Sequence, residues 1–364
     1  MKQYRILVIN PGSTSTKVAV YQKKDAVFEK TVRHEAKDLD DCGTMMAQIP
    51  LRKACVMEAM REHGIAPETL DAIAARGGLL PPIPGGGHRV DERMVQLLMH
   101  GKLRQHASNL GALIAYEIAQ PLGIQAYIYD AVSSDEMLDV ARLTGYPGVE
   151  RRSFCHTLNA KASARKVAAD LGKRYEQMNF VVAHIGGGVS ISAHCHGRIL
   201  DVVGDDEGPF TPQRAGNLPQ QALVKLCYQS GLTEDEMEHR LKNDSGMKAL
   251  LGTDDFREIE QRIMAGEKKT IKVCESYLYA LTKKVGEMAS VLGGRLDAVI
   301  LTGGMACSSW IEQRFRQRCN YLAPVYVVPG EREMEALALG VLRVLNGEET
   351  APPYDGPIEG DFRN

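Results

Sequence analysis

Several features that mark common classes of protein are absent from this sequence. No apolar run approaches the ~20 residues that a membrane-spanning helix needs, so we expect no membrane partner. The eight cysteines form no CxxC pair, and the N-terminal MKQYRILVIN lacks the architecture of a secretory signal. These absences predict reduced thiols and a cytoplasmic location. The net charge of −2 gives no electrostatic reason to expect nucleic acid as a partner.

Two common nucleotide-binding motifs are also missing. GxxxxGK[ST] is absent, which excludes a Walker A loop, and GxGxxG is absent, which leaves a Rossmann site poorly supported. The chain has 364 residues, of which 44% are hydrophobic and 25% are charged, and this is the composition of a globular protein. A chain of this length is expected to form two domains.

Three consecutive glycines lie in the middle of the chain, within VVAHIGGGVSISAHCHGRILDVV at 181–203. The apolar runs around them predict three successive strands, with Gly186, Gly187 and Gly188 in the first turn. Because glycine has no Cβ atom, this turn is expected to adopt positive φ angles and to direct its N–H groups at an anion such as phosphate. An ordinary hairpin turn is the alternative interpretation.

The same pattern occurs at the N-terminus. An apolar run at 4–9 is followed by the hydroxyl-rich turn NPGSTSTK at 10–17 and then by two further alternating runs. This repetition indicates two similar domains that face a shared cleft, each offering one turn to it. Hydroxyl groups and a lysine can bind phosphoryl oxygens or a hydrated magnesium ion. A Ser/Thr turn that satisfies its own backbone is the alternative.

Two further candidates lie at the ends of predicted strands. Arg76 ends a short strand beside two glycines and precedes the loop PPIPGGG at 81–87. Loops of this kind often line ligand sites, although a surface connector fits the composition equally well. Asp130 also ends a strand, which is where the functional residues of α/β sheets gather.

The remaining candidates lie in loops or beside helices. His106 precedes the amphipathic helix predicted at 110–119, where a structural role is the alternative. Arg214 stands alone among Gly and Pro residues, which favours a fixed position over a solvated one. Gly303 and Gly304 join a strand to a helix, an arrangement that suits a nucleotide.

Seven motifs together resemble those of the acetate and butyrate kinases, and most closely those of the butyrate kinase branch. They are NPGSTSTK at 10–17, RGGLL at 76–80, HASNLG at 106–111, HIGGGVS at 184–190, GPFTPQRAGNLP at 208–219, LTGGMA at 301–306 and PGEREMEALALG at 329–340. The resemblance covers nearly the whole chain. It implies an α/β fold of two duplicated actin-like ATPase domains, each ribonuclease H-like (βββαβαβα), with the active site in the cleft between them. We expect an N-terminal domain at 1–151 plus 331–364 and a C-terminal nucleotide-binding domain at 152–330.

The resemblance also implies a role for each matching residue in the phosphorylation of a short-chain carboxylate by ATP, with Mg²⁺. The acid would be bound by Arg76, Leu79 and His106. The catalytic residues would be Arg76, Asp130, His156, His184 and Arg214. The nucleotide and its phosphates would be bound by Asn10, Ser13, Ser15, Lys17, Gly186, Gly187, Gly188, Gly303 and Gly304. The metal would be held on the side of Asn10, Asp130 and either Glu331 or Glu333.

The expected chemistry fits these residue types. A carboxylate acceptor with a pKa near roughly 4 to 5 is already ionised at neutral pH, so it needs no general base. The barrier is the approach of one anion to another, which two arginines, a histidine and Mg²⁺ would lower. Asp130 is therefore expected to orient magnesium-bound water rather than to accept a proton. The products would be acyl phosphate and ADP, in a reversible reaction.

The acceptor and the assembly are expectations of the same kind. Apolar residues at 79–84 indicate a short alkyl chain, so we expect butyrate or isobutyrate as the acid. The alternatives are an acetate or propionate kinase of the same family, or a non-catalytic nucleotide-dependent scaffold of the same fold. A sugar kinase of the superfamily would instead need a hydroxyl-activating base and polar residues in that loop. Related enzymes imply a homodimer or a higher homo-oligomer.

Overall fold

A computed structural model describes residues 2–358 and 361–362 of the chain. Its strands, numbered along the chain, are β1 (Arg5–Pro11), β2 (Ser15–Gln22), β3 (Asp25–Arg33), β4 (Ala72–Arg76), β5 (Gly87–Arg89), β6 (Lys102–Leu103), β7 (Gln125–Tyr129), β8 (Asn179–Ile185), β9 (Val189–Cys195), β10 (Arg198–Val203), β11 (Ala298–Gly303), β12 (Val325–Pro329) and β13 (Asp361–Phe362).

The α-helices are α1 (Ala36–Asp41), α2 (Ile49–Glu62), α3 (Glu92–His100), α4 (Asn109–Leu122), α5 (Asp139–Arg142), α6 (Thr157–Asp170), α7 (Gln220–Gln229), α8 (Glu234–Asn243), α9 (Gly246–Leu251), α10 (Phe256–Met264), α11 (Lys268–Val291), α12 (Ser309–Cys319) and α13 (Glu333–Leu345). Short 3-10 helices are formed by Met46–Gln48, Pro67–Thr69, Tyr175–Gln177 and Gly304–Cys307. Among the described residues, none of the helices is both long and apolar enough to cross a membrane.

The chain forms two compact units. The first unit comprises 1–135 and 332–364, and the second unit comprises 136–331. Compactness thus places 136–151 in the second unit, whereas the sequence placed this segment in the first domain. The shared cleft stays a prediction from the sequence.

The first unit is built on a sheet with the strand order β3-β2-β1-β4-β7-β5. Strands β1, β2 and β3 are antiparallel neighbours, β1, β4 and β7 run parallel, and β5 is antiparallel to β7. Residues Ile6 to Ile9 of β1 are all fully buried, as expected for a central strand that is covered on both faces. The short strand β13 pairs with β6 in a separate two-stranded sheet.

The second unit repeats this plan. Its sheet has the order β10-β9-β8-β11-β12, in which β8, β9 and β10 are antiparallel neighbours and β8, β11 and β12 run parallel. Strands β8 to β12 therefore correspond in order to β1, β2, β3, β4 and β7. The duplicated α/β fold predicted from the sequence is confirmed.

Helices cover the sheets in an order that explains why the first unit is discontinuous in sequence. In the first unit, α13 packs on β1, β4 and β7, although it is the last helix of the described chain. In the second unit, α6 packs on β8 and β11 and comes before them in the chain. The chain thus enters the second unit through a covering helix and returns to the first unit to supply its own.

The parallel strands bring candidate residues to one edge of each sheet. In the first unit, Ile9 pairs with Ala75, and Arg76 pairs with Tyr129, so the carboxyl ends of β1, β4 and β7 lie side by side. In the second unit, His184 pairs with Thr302, so the carboxyl ends of β8 and β11 also lie side by side. Functional side chains of α/β sheets gather at such carboxyl edges.

Candidate active site

The hydroxyl-rich turn of the first unit joins β1 to β2. Gly12 donates its N–H to the carbonyl oxygen of Ser15 at 2.8 Å, which closes the turn. Ser13 and Thr14 are exposed, Ser15 is half-buried and Thr16 is fully buried. The turn is therefore open on one side only, where the predicted phosphate ligands Ser13 and Ser15 lie.

Asn10 and Lys17 lie on one face of the sheet because they are register partners across β1 and β2. Asn10 is buried and donates from Nδ2 to Oε2 of Glu333 at 2.7 Å. Lys17 is half-buried, and its ammonium group forms no ion pair within the described residues. The face of β1 and β2 that Asn10 occupies thus meets the start of α13, whose first residue is Glu333.

Arg76 joins the same cluster. Its NH1 lies 2.8 Å from Oε1 and 2.9 Å from Oε2 of Glu333, whose side chain is only 11% exposed. Glu333 therefore binds Asn10 and Arg76 together. Sequence reasoning left the choice between Glu331 and Glu333 open, and the structure separates them. Glu331 belongs to the second unit, where Oε1 lies 3.8 Å from Nε2 of His184.

Asp130 lies immediately after β7, on the strand end next to that of Arg76. It is 4% exposed, and its φ of 42° is unusual for a residue other than glycine. Its Oδ1 accepts the N–H of Gly86 at 2.8 Å, and its own N–H donates to the carbonyl of Gly86 at 3.0 Å. The end of the PPIPGGG loop thus holds Asp130 in a left-handed conformation, and such strained residues cluster at functional sites.

The predicted acid-binding residues lie around Arg76. Nδ1 of His106 accepts the backbone N–H of Ser108 at 3.2 Å and lies 2.7 Å from Oγ of Ser108. Desolvation lowers the pKa of His106, and the positive charges of Arg76 and Arg104 lower it further. Leu79 is half-buried, and its N–H donates to Oδ1 of Asn109 at 2.8 Å.

The apolar loop after Arg76 contributes less exposed surface than the sequence suggested. Leu80 and Ile83 are buried in the core cluster of the first unit, with exposures of 7% and 5%. Pro82 and Pro84 are exposed. Leu79 is more accessible to a ligand than Leu80, because the loop packs Leu80 and Ile83 inward.

The glycine turn of the second unit differs from the expectation in one respect. None of Gly186, Gly187 and Gly188 has a φ in the left-handed region, so conformational freedom is not what requires glycine here. Instead, a Cβ atom on Gly187 would meet nothing within 4 Å, and one on Gly188 would lie 3.2 Å from NH1 of Arg214. The absence of Cβ atoms leaves open space above the turn, which is closed by a Gly186 N–H to Gly188 carbonyl bond of 2.9 Å.

His184 ends β8 immediately before this turn and is 2% exposed. Nδ2 of Asn159 lies 2.9 Å from Nδ1 of His184 and 3.1 Å from Oγ1 of Thr302. An amide nitrogen can only donate, so Nδ1 of His184 accepts and the proton of the neutral ring lies on Nε2. A Cβ atom on Gly186 would lie 3.5 Å from this Nε2, so the N–H of the ring faces the glycine turn.

His156 stacks on His184, with ring centroids 3.8 Å apart and planes at 8°. Nδ1 and the backbone N–H of His156 both contact Oγ of Ser190, at 2.9 and 3.2 Å. His156 directly precedes α6 and so lies at its N-terminus. Two of the three predicted histidines therefore form one stacked pair at the glycine turn.

Arg214 is the second predicted arginine, and it lies at the other side of the glycine turn. Its NH1 forms an ion pair with Oδ2 of Asp205, and its N–H donates to Oγ1 of Thr211 at 3.0 Å. Desolvation lowers the pKa of Arg214. The guanidinium group is therefore held beside Gly188, and the side chain is one third exposed.

Gly303 and Gly304 have different roles. Gly303 has a φ of +95°, and a Cβ atom on it would overlap the carbonyl of Ile185 at the end of β8. Gly304 is exposed, and a Cβ atom on it would meet nothing within 4 Å. Beyond Gly304 lies a cavity of about 540 Å³, which is lined by Arg257, Glu260, Gln261, Met264, Cys307 and Ser309.

The donor groups of the first unit suit a magnesium ion that binds mainly to phosphates and water. Among the described residues, no group of three or more His, Cys, Asp or Glu side chains could hold a metal ion alone. Asn10, Asp130 and Glu333 offer amide and carboxylate oxygens, which are hard ligands. Mg²⁺ commonly uses one or two carboxylates together with substrate phosphates, so this set fits it.

Three residues that contact the candidate site were not found by sequence reasoning. Arg52 of α2 bonds the hydroxyl-rich turn, Asn159 of α6 bonds His184, and Asp205 bonds Arg214. Arg52 left one signal, because an arginine stands in the apolar stripe of its helix. Asp205 could not be chosen over Asp206 and Glu207 from the sequence.

Comparisons with known proteins bear on the family and the fold of the chain. A sequence model of the acetokinase family matches residues 142–323, which is half of the chain. The solved acetate kinase of Porphyromonas gingivalis is similar over 94% of this chain and 100% of its own, with 20% identity and a TM-score of 0.77. A propionate kinase of Francisella tularensis is similar over 93% of this chain and 98% of its own, with 17% identity and a TM-score of 0.70. An acetate kinase of Entamoeba histolytica is similar over 92% and 98%, with 16% identity and a TM-score of 0.71. At these identities the structural similarity concerns the fold.

Proposed function

The chain belongs to the acetokinase family of carboxylate kinases, and on that premise we propose that it transfers the γ-phosphoryl group of ATP to butyrate or isobutyrate. A carboxylate oxygen of the acid attacks the γ-phosphorus, and the bond to the β,γ-bridging oxygen breaks. The products are acyl phosphate and ADP. No proton moves, because the acid is ionised at neutral pH, and the reaction is reversible.

The observation that carries this proposal is the environment of Arg76. Its NH1 already contacts both oxygens of a carboxylate, that of Glu333, at 2.8 and 2.9 Å. Leu79 is half-buried and follows Arg76 closely in the sequence. The positive charge of Arg76 lowers the pKa of His106, which favours the neutral ring. An arginine that can contact a carboxylate and lies beside an apolar side chain suits the head and the chain of a short acid. In our proposal Arg76 binds the carboxylate of the substrate.

The phosphates of ATP are the ligands proposed for the two turns. In the first unit the phosphates would be contacted by Ser13, Thr14, Ser15 and Lys17. In the second unit they would be contacted by Gly186, Gly187 and Gly188. Open space above Gly187 leaves room for phosphoryl oxygens close to the backbone. The cavity beyond Gly304 would take the adenosine, since it begins where the chain leaves β11.

Charge neutralisation is the main catalytic task in phosphoryl transfer. Arg214 would neutralise the transferring phosphoryl group. Nε2 of His184 would donate a hydrogen bond to it, because Asn159 fixes the tautomer. His156 would hold the ring plane of His184 by stacking.

Mg²⁺, when bound, supplies positive charge at the phosphates of ATP. Asn10, Asp130 and Glu333 are the residues that would hold it, directly or through water. Asp130 would orient such water rather than act as a base. Glu331 is kept as a second metal candidate, because it belongs to the other unit, where its Oε1 lies 3.8 Å from Nε2 of His184.

We also propose that the chain assembles into a homodimer or a higher homo-oligomer. Helix α7 has no buried residue, and it exposes Val224, Leu226 and Tyr228 by 55%, 45% and 86%. Exposed apolar surface of this kind is typical of protein interfaces. Light scattering of the wild type and of Tyr228→Asp tests the assignment. We expect an oligomer and a smaller species, respectively, and a monomeric wild type would contradict it.

The test of the activity is the ATP-dependent formation of acyl phosphate, trapped as a hydroxamate. Acetate, propionate, butyrate, isobutyrate and valerate are compared, with ADP release measured for glycerol and glucose. We expect a maximum at four carbons. One methylene is worth only ~1–3 kcal/mol in such pockets, so neighbouring acids should react more slowly rather than not at all.

The other outcomes discriminate among the alternatives. A maximum at acetate or propionate would keep the chemistry and change the acceptor. ATP binding without turnover of any acid would contradict the proposal and favour a nucleotide-dependent scaffold. Arg89→Gln is a suitable control for Arg76→Gln, because Arg89 is exposed and its guanidinium group donates to the carbonyl of Ala351.

A further inference from the structure

Arg52 is a fully buried arginine in the first unit, with a side chain inside the apolar stripe of α2 that also contains Val56, Ala59 and Met60. A buried guanidinium group is costly unless its donors are bonded, so its partners show what it is for. Among the described residues, the bonds of its side chain go to two places, Gln48 in the preceding turn and the hydroxyl-rich turn that joins β1 to β2.

The contacts with the turn are made mainly to the backbone. NH1 of Arg52 donates to the carbonyls of Gly12 and Ser15 at 2.9 and 3.0 Å and to Oγ1 of Thr16 at 3.0 Å. NH2 donates to the carbonyl of Ser13 at 3.1 Å. One side chain therefore draws three carbonyls of a single turn to the same side.

This arrangement determines where the N–H groups of the turn point. The C=O and N–H of one peptide unit point in opposite directions. Because the carbonyls of Gly12 and Ser13 face Arg52, the N–H groups of Ser13 and Thr14 face away from it, toward the exposed side. Within the described part of the chain, no protein group accepts a hydrogen bond from either N–H. Successive free N–H groups of this kind form an anion-binding concavity.

The charge of Arg52 acts in the same direction. Among the described residues, no carboxylate forms an ion pair with this guanidinium group. Burial lowers its pKa, but an arginine stays protonated in proteins. An uncompensated positive charge lies directly beneath the turn and raises the electrostatic potential on the side where the free N–H groups point.

We propose that Arg52 is a positioning residue for phosphate binding by the first turn. It holds the carbonyls of Gly12, Ser13 and Ser15 inward, presents the N–H groups of Ser13 and Thr14 to the phosphates, and adds a buried positive charge beneath them. Gln48 fixes the guanidinium group through its Oε1 at 2.9 and 3.1 Å. This inference rests on the proposed function, because it names how that site binds its phosphates.

The test compares Arg52→Gln and Arg52→Lys with the wild type. Arg5→Gln is the matched control, since Arg5 is also in the first unit and bonds Thr69 and Gln22 at the opposite end of β1. Affinities for tripolyphosphate and for adenosine are measured by calorimetry, and KM for ATP and kcat by the hydroxamate assay. A merely structural role would weaken both ligands alike or lower only the melting temperature.

We expect Arg52→Gln to weaken tripolyphosphate binding and to raise KM for ATP by about tenfold or more, as for the loss of a charge-assisted contact. Adenosine affinity should stay within about twofold of the wild type, and Arg52→Lys should lie between the two. Guanidinium ion at low millimolar concentration should partly restore ATP binding to Arg52→Ala. The control should change none of these values.

Three outcomes would overturn the inference. The first is an unchanged affinity for tripolyphosphate in a folded Arg52→Gln variant. The second is an equal loss of affinity for adenosine and for tripolyphosphate. The third applies if the glutamine variant does not fold, and it is an unchanged KM for ATP in Arg52→Lys. A wild type that forms no hydroxamate would contradict the proposed function instead, because tripolyphosphate binding tests Arg52 without any turnover.

Discussion

The turn of the first unit and the glycine turn of the second occupy the same place in two matching sheets, yet they are built in opposite ways. The first follows β1 and is fixed from beneath, where Arg52 bonds three of its carbonyls. The second follows β8. It is flanked instead by the ring of His184 and the guanidinium group of Arg214.

This difference separates what the fold provides from what the side chains provide. The duplicated strand order gives each sheet a turn at the carboxyl edge of its central strand. In the first unit the charge lies under the backbone, so the backbone itself is suited to bind. In the second unit the guanidinium group and the histidine ring lie beside an open backbone, where a reacting group could contact them. In our proposal the first turn holds phosphates and the groups beside the second act on the transferred one.

The largest expected effect comes from the two arginines of the candidate site. Arg76→Gln and Arg214→Gln should each lower kcat/KM by about 10²–10³, as for the loss of a donor to developing or fixed negative charge. We expect the two losses of kcat/KM to have different causes. Arg76→Gln should act mainly through KM for the acid, and Arg214→Gln mainly through kcat. Steady-state kinetics with ATP and with butyrate as the varied substrate measure both.

The corresponding lysine variants serve as controls, because they keep the charge and lose the planar fork. They should recover part of the activity. If both glutamine variants changed KM for the acid equally and left kcat alone, the division of labour between the two units would be wrong.

A second effect concerns the adjacent glycines after β11. Gly303→Ala should destabilise the fold by roughly 3 kcal/mol or more, because it combines a positive φ with a clash against the backbone of Ile185. Gly304→Ala should leave stability within about 0.5 kcal/mol, since its Cβ would meet open space. Thermal unfolding of the two variants distinguishes them. Equal melting temperatures would contradict the close approach of Gly303 to β8.

A smaller effect is expected at the exposed member of the glycine turn. Gly187→Ala adds a methyl group to space that our proposal assigns to phosphate, so KM for ATP should rise by about tenfold with no loss of stability. Gly145→Ala is the matched control, because Gly145 is also exposed, has no left-handed φ and has nothing within 4 Å of its Cβ position. It should change neither quantity. An unchanged KM for ATP in Gly187→Ala would contradict the proposal that this turn binds phosphate.

The smallest effect is a titration. Desolvation and the charges of Arg76 and Arg104 lower the pKa of His106, so its ring should be neutral at pH 7 and should protonate only below its ordinary value of about 6.5. Protonation adds a positive charge beside Arg76, so KM for the acid should fall as the pH falls toward 5.5. His106→Asn should abolish this trend. NMR titration of the ring measures the pKa, which butyrate should raise because its carboxylate offsets Arg76.

Local patterns predicted the fold well because each unit is built from them. The runs around the central glycines became β8, β9 and β10, and the alternating runs of the N-terminus became β1, β2 and β3. Pro50 lies in the first turn of α2, where a missing N–H costs nothing.

What the sequence did not provide depends on partners far apart in the chain. Arg52 lies about forty positions after the carbonyls that it bonds, and within its own helix it resembles a misplaced surface residue. The bonds of Glu333 to Asn10 and Arg76 join residues more than 250 positions apart, so the sequence could not distinguish the surroundings of Glu333 from those of Glu331. The glycine turn was expected to need positive φ angles, but open space rather than conformation explains its composition.

The most direct test of the account is the fate of the acid's oxygen. The acid that reacts fastest in the hydroxamate assay is supplied with both carboxylate oxygens as ¹⁸O, and the product formed from ATP is followed by ³¹P NMR. The account predicts an acyl phosphate whose phosphorus shows the isotope shift of one bridging ¹⁸O, together with an equal amount of ADP. ADP formed without any ¹⁸O bonded to phosphorus would contradict it.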